Sequence, residues 1–142
     1  MIIGLEHAAI SVSNLERSID FYCGIFRMKH ERTIDSPPEK GLGKIIGQPG
    51  AAAKIAHLTS DAMMLELFEY SEPKGRPIAA DRRQADHGLI HVAFQSTDVL
   101  SDAEELKQQG VEFVGEPLEY RPGVWVLYFY GPDREVCEIR QG

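Results

Sequence analysis

The chain has no long apolar run. Nothing approaches the roughly 18 consecutive apolar residues of a membrane span, and Met1-Ile-Ile-Gly lacks the charged-then-apolar plan of a signal peptide. No membrane partner is expected, and the expected compartment is the cytoplasm. Cysteine is scarce: Cys23 and Cys137 form no CxxC pair, so zinc-ribbon and thioredoxin-like arrangements lack their ligands. Both read as packing residues, Cys137 within a strand-like run between Val136 and Glu138. Positive charge is also short. With 15 Lys and Arg against 22 Asp and Glu, the formal charge is −7 and no long basic cluster appears. Nucleic acid is therefore not expected as a partner, because neutralising phosphates requires a basic surface. A local basic pocket for an anionic small molecule stays compatible with that balance.

What is present is ordinary for a globular protein: 43% hydrophobic and 26% charged residues over 142 positions, enough to bury a core without covalent staples. Two short runs organise the chain. Gly4-Leu-Glu-His-Ala-Ala-Ile10 and Gly88-Leu-Ile-His-Val-Ala-Phe94 carry His7 and His91 at the same place. Around them the pattern repeats. A strand over Ile3 to Val12 precedes a helix over about Asn14 to Phe26, with Leu15, Ile19, Tyr22 and Phe26 at helical spacing and Ser13-x-x-Glu16 as a capping box. A polar strand over Lys29 to Ile34 leads into a Pro/Gly-rich loop, the kind that often serves as a lid or partner contact. Strands over Ala53 to Leu58 and Met63 to Tyr70 follow.

Residues 71–87, rich in Pro, Gly and Arg without a hydrophobic period, read as a linker. The second half then runs as a strand over Gly88 to Gln95 and a helix from about Asp98 or Ser101, with Ser101-x-x-Glu104 as its capping box, stopped by Gly110. Strands over about Val111 to Val114, Val124 to Tyr130 and Val136 to Arg140 complete it. Each half is βαβββ. His91 follows His7 by 84 residues and Glu138 follows Glu66 by 72, a difference that the longer loop of the first half absorbs. A duplicated module explains this most economically.

Strand alternation then separates the faces. Glu66 shares a face with Met64 and Phe68, opposite Leu65 and Leu67. Glu138 shares one with Val136 and Arg140, opposite Cys137 and Ile139. His91 lies with Leu89, Ala93 and Gln95, opposite Ile90, Val92 and Phe94. If helices cover the apolar faces, His7, Glu66, His91 and Glu138 project to the other, concave side. Two imidazoles and two carboxylates there suit zinc, nickel, iron or manganese better than magnesium or calcium. A single such histidine is more often a hydrogen-bonded residue than a ligand, but four at matched places in a repeat favour one divalent metal ion.

On these stretches, with Leu15-Glu-Arg-Ser-Ile-Asp-Phe-Tyr22, Met64-Leu-Glu-Leu-Phe68 and Gly131-Pro-Asp-Arg-Glu-Val-Cys-Glu-Ile139, the sequence resembles the vicinal oxygen chelate superfamily. That group holds glyoxalase I, methylmalonyl-CoA epimerase, extradiol dioxygenases and the fosfomycin- and bleomycin-resistance proteins. The resemblance implies an α+β fold of paired βαβββ modules in a curved eight-stranded mixed sheet with helices on the outer face. It implies a single domain over 1–142, with module 1 at about 1–70, the linker at 71–87 and module 2 at about 88–142. The metal ligands it implies are His7, Glu66, His91 and Glu138, the glyoxalase I set, holding one ion of Zn, Ni, Fe, Mn or Co. It implies a small-molecule substrate and a homodimer. The activity implied is that of a glyoxalase I-like lyase or isomerase. There a chelated carbonyl acidifies the neighbouring carbon, and Glu138, or alternatively Glu66, removes the proton. A methylmalonyl-CoA epimerase-like isomerase, an iron-dependent extradiol-type dioxygenase and a non-catalytic binding or resistance protein are the alternatives.

The chain departs from that pattern in places. Ser11 stands where bacterial glyoxalase I enzymes usually carry an arginine that helps hold glutathione. Arg27 replaces the glycine that usually ends the first helix, and Arg134 the turn glycine after Pro-Asp. Phe68, on the face of Glu66, and Arg121, a loop arginine suited to a carboxylate or phosphate, are the substrate-binding candidates. His57, on the face of Ile55 and Thr59, could face the same cavity but reads first as a polar core histidine, and His30 and His87 read as solvated ones. Val126, Tyr128 and Tyr130 form one face of their strand and Trp125, Leu127 and Phe129 the other; alternation does not tell which lines the pocket.

Overall fold

A computed structural model describes residues 1–61 and 63–142. Two compact units divide the chain, Met1–Pro77 and Ile78–Gly142.

The first unit contains β1 (His7–Ser11), α1 (Leu15–Phe26), β2 (Lys29–Ser36), a 3-10 turn (Pro38–Lys40), α2 (Leu42–Ile45), β3 (Ala52–Thr59) and β4 (Met64–Glu72). Its sheet runs β1-β4-β3-β2, with β1 and β4 parallel and the other neighbours antiparallel. Alternation places Leu65 and Leu67 of β4 and Ala56 and Leu58 of β3 on one face, all fully buried, where Leu15 and Tyr22 of α1 cover them. The helix begins one residue later than the capping-box signature suggests: Asn14, not Ser13, is the N-cap, its side chain accepting from Arg17 N. Glu69 of β4 accepts from Leu15 N at 2.6 Å, so a carboxylate from the sheet satisfies a second free amide of the first turn. Arg27 ends the helix in the left-handed region at φ 53°, where the missing glycine leaves a side chain. In the Pro/Gly-rich loop, Gly43 is packed so tightly that a Cβ there would meet the Gln48 carbonyl oxygen at 2.2 Å.

The second unit repeats the plan with β5 (Val92–Gln95), α3 (Val99–Gln108), β6 (Leu118–Arg121), β7 (Val124–Tyr130) and β8 (Val136–Gln141), in the order β5-β8-β7-β6. Again the first strand pairs parallel with the last and the rest are antiparallel. Val99, Ala103 and Leu106 of α3, with Leu127, Phe129, Cys137 and Ile139 of the sheet, form its core, and Cys137 is fully buried. The N-cap is Asp98, which accepts from Ser101 N, and Gly110 is left-handed at φ 75° after the helix. Arg134 is also left-handed at φ 70°, held by Glu112 at 2.5 Å and by the Tyr130 ring at 3.7 Å.

The α+β class and the paired βαβββ modules agree with the sequence reading. Hydrogen bonding among the described residues groups the eight strands as two mixed sheets of four. Three boundaries differ. β1 starts at His7 rather than Ile3, because its pairing begins opposite Met64, the first residue of β4. β5 starts at Val92 rather than Gly88, leaving His91 immediately before the strand; the Leu89 carbonyl accepts from Arg82 Nη2 instead of a ladder partner. Residues 111–114 make only an isolated bridge, Phe113 to Phe129, and the strand is Leu118–Arg121. Both segments use the same edge of β7, and the interruption between them falls at Gly115-Glu-Pro117, where proline has no N–H to give the ladder. Pro122-Gly123 then closes a tight β6–β7 hairpin, with Gly123 at φ 78° supplying the left-handed turn residue.

No helix of the described residues is long and apolar enough to cross a membrane.

Candidate metal centre

The two sheets use one register. In the first unit Ala9, two residues after His7, lies opposite Glu66; in the second, Ala93, two residues after His91, lies opposite Glu138. Each histidine and its glutamate thus share the face that the helix does not cover. His7 Nε2 is 3.3 Å from Glu66 Oε2, and His91 Nε2 is 3.0 Å from Glu138 Oε2.

The antiparallel side matches as well. The residue opposite Glu66 on β3 is His57, and the residue opposite Glu138 on β7 is Tyr128. Both bond their carboxylate. His57 Nε2 is 3.1 Å from Glu66 Oε1, while its Nδ1 accepts from Arg32 Nε at 3.3 Å. Arginine only donates, so His57 Nδ1 is the acceptor and Nε2 carries the proton given to Glu66. The Tyr128 hydroxyl donates to Glu138, and its ring meets the His91 ring edge-on at 5.2 Å. Burial, then the Glu138 bond and charge, push the Tyr128 phenol above its ordinary value.

His7 differs from His57 in what occupies its other nitrogen. Glu6 accepts from His7 Nδ1, which leaves Nε2 directed at Glu66. That bond raises the His7 pKa above its ordinary value, with burial opposing and the Glu66 charge adding to it. A metal-bound imidazole commonly has its other N–H held by a carboxylate in this way. His91 Nδ1 is buried and has no hydrogen-bond partner among the described residues, so the hydrogen bonding of that ring is directed at Glu138.

The donors fit a divalent ion in type and spacing. Two ligands each about 2.1 Å from one ion lie about 3.0 Å apart at a right angle and about 3.4 Å apart at the tetrahedral angle. The two His–Glu separations fall in that range. Among the described residues no group of three or more His, Cys, Asp or Glu side chains is already arranged as a cation cage.

Phe68 lies opposite Ser11 on the face of Glu66, stacked on Tyr70 at 5.8 Å. In the second unit a cavity of about 810 Å³ has Glu138 and Tyr128 in its wall, with Val126, Arg121 and Arg140. Tyr128 and Val126 therefore take the cavity face of β7, and Leu127 and Phe129 the core. Sequence reasoning placed Arg140 on the face of Glu138 without making it a candidate, and preferred a core place for His57 to a cavity-facing one. Alternation alone puts Arg140 beside Glu138 on β8, whereas bringing His57 beside Glu66 takes the β3–β4 register.

The sequence model of the Glyoxalase/Bleomycin resistance protein/Dioxygenase superfamily matches residues 4–139. The chain is 26% identical over 138 residues to a probable lactoylglutathione lyase of Synechocystis sp., covering 96% of this chain and 94% of that one. It is 27% identical over 138 residues to a lactoylglutathione lyase of Neisseria meningitidis, covering 96% and 89%. Among solved structures it resembles a glyoxalase family protein from Bacillus cereus, with a TM-score of 0.88 at 19% identity and coverage of 99% and 94%. The fosfomycin resistance protein FosX from Listeria monocytogenes, solved with Mn(II) and sulfate, gives 0.68 at 22%, with coverage of 100% and 94%.

Proposed function

The chain belongs to the Glyoxalase/Bleomycin resistance protein/Dioxygenase superfamily, and we propose that it is a divalent-metal-dependent lyase or isomerase of the glyoxalase I kind, acting on a small carbonyl compound. The observation that carries this reading is the repeated register, which puts one imidazole and one carboxylate together in each unit. Each unit alone supplies one imidazole and one carboxylate, and the ligand set proposed on the family resemblance is His7, Glu66, His91 and Glu138. Once bound, a divalent ion supplies Lewis-acid polarisation of a carbonyl oxygen and so acidifies the adjacent C–H.

The residues around it have separable tasks. Glu138 takes the carbon-bound proton and returns it to the neighbouring carbon. Its wall of the cavity also carries Val126 and Tyr128, and the Tyr128 hydroxyl orients the carboxylate that moves the proton. Glu66 is bonded on both oxygens, Oε2 to His7 and Oε1 to His57. Glu6 and His57 hold the first-unit ligands in orientation. Phe68 and Arg121 contact the substrate. The functional form is a homodimer, which light scattering of the purified protein tests.

The deciding experiment is metal analysis by mass spectrometry on wild type and on His7→Ala and His91→Ala, with turnover measured on hemithioacetals and other small carbonyl compounds in deuterated solvent. Wild type should retain about one divalent ion and each variant lose it. Glu138→Gln should lower the rate by about 10²-fold or more while keeping the fold. Full turnover in Glu138→Gln, or a wild type that binds no divalent ion, overturns the reading.

A further inference from the structure

We propose that Arg121 and Arg140 form an anion clasp in the cavity of the second unit, so that the substrate is a small carbonyl compound carrying a carboxylate or phosphate on an apolar skeleton. The inference rests on the reading of Glu138 as the catalytic carboxylate, and it adds what the substrate must bear at its other end.

The register supplies the geometry. Arg121 on β6 lies opposite Val124 and Arg140 on β8 lies opposite Val126, so the two arginines flank β7 two residues apart. With strands about 4.8 Å apart and about 3.3 Å per residue, their backbones are separated by about 12 Å, a span two long side chains can close on one anion. Both line the cavity, and so does Glu138, two residues before Arg140 on the same face.

Their electrostatics favour a ligand. Neither side chain has a hydrogen bond or ion pair among the described residues, in a chain with a surplus of seven negative charges. Some exposed arginines elsewhere are held by carboxylates, Arg83 by Asp86 and Arg134 by Glu112. The remaining charged wall residue is Glu116, which faces Lys107 at 4.0 Å. Ile90, Val114, Leu118 and Val126 make the rest of the surface largely apolar, while Arg121 and Arg140 themselves stay exposed and open to a ligand entering from solvent. An apolar body with one charged end satisfies both parts of this wall. The planar guanidinium fork pairs with either oxyanion.

The test is binding, without metal or turnover. Phenylacetate, benzylphosphonate and the neutral isostere phenylacetamide are titrated into wild type, Arg121→Gln, Arg140→Gln and the double variant, followed by NMR of the Val126 and Leu118 methyls. Wild type should prefer the anions over the amide by about tenfold or more. Each single variant should lose most of that preference, and the double variant all of it, with amide binding unchanged as the measure of an intact cavity. The ratio of phenylacetate to benzylphosphonate affinity distinguishes a carboxylate from a phosphate substrate. An anion preference that survives the double variant, or its absence in wild type, overturns the proposal. So does failure of all three probes to shift the methyls. Because no metal is present, any of these outcomes leaves the lyase reading to its own experiment.

Discussion

Replacing His57 tests whether the second residue touching Glu66 is structural filling or a placed donor. His57 and Glu66 side chains are only 12% and 14% exposed, and the bond between them is 3.1 Å. His57→Ala removes a hydrogen bond to a mostly buried carboxylate, a loss of about 1.5–3 kcal/mol. It also strands Arg32 Nε without its acceptor. With a urea m-value of about 2 kcal/mol/M, the unfolding midpoint of the metal-free protein should fall by about 1 M. His57→Gln keeps an N–H donor at nearly the same reach and should recover half of that loss or more. His30→Ala is the control: its ring is exposed and, among the described residues, bonds Thr33 Oγ1 alone, so the change should stay within about 0.5 kcal/mol. In the same series zinc affinity, measured by competition with a chromophoric chelator, should weaken about 10- to 100-fold in His57→Ala, with His57→Gln between. An unchanged midpoint in His57→Ala would refute the argument. A Gln variant no better than Ala would show that lost packing, not the lost donor, causes the effect.

Tyr128→Phe removes the corresponding donor from Glu138; it should cost about 1–2 kcal/mol in urea unfolding and delete from the tyrosine absorbance titration a component above the ordinary phenol value. Asn14→Ala should destabilise α1 by about 1 kcal/mol, and Ser13→Ala by less than half of that, since Asn14 is the residue that caps the helix. The Asp86 carboxyl is held below its ordinary value, first by the Arg83 backbone N–H and then by the Arg83 guanidinium. Its depressed pKa means that its contribution to stability is present above the unfolded value and lost as pH falls through the folded one. NMR titration of Arg83→Ala should raise that pKa only in part, because the backbone donor remains.

Much of this was legible before folding. Alternation in β4 and β8 assigns Leu65, Leu67, Cys137 and Ile139 to one face and Glu66 and Glu138 to the other, because a strand has period two and an uncompensated carboxylate is costly to bury. The echo of His7 in His91 fixed the duplication. Local chemistry gave the helices, and it placed their caps only to within a few residues: Asn14 and Asp98 took the role that Ser13 and Ser101 advertise, since several oxygen-bearing side chains near a helix start compete for the same amides.

What alternation cannot supply is register across strands. That His57 faces Glu66 and Tyr128 faces Glu138 depends on how β3 slides against β4 and β7 against β8, a choice made by the packing of α1 and α3 on the opposite faces. The edge of β7 shows the same limit: residues 111–114 have strand-like sequence, yet they make only the Phe113–Phe129 bridge there, while Leu118–Arg121, brought alongside by the Pro122-Gly123 hairpin, forms the strand. The sequence by itself determined the doubled module, the two faces and the place of His7, Glu66, His91 and Glu138 on the faces away from the helices. Only the tertiary structure decided which side chains hold those four in place, and that Arg121 and Arg140 share a cavity wall with Glu138, because both follow from pairings between segments that are neighbours in space and not in the chain.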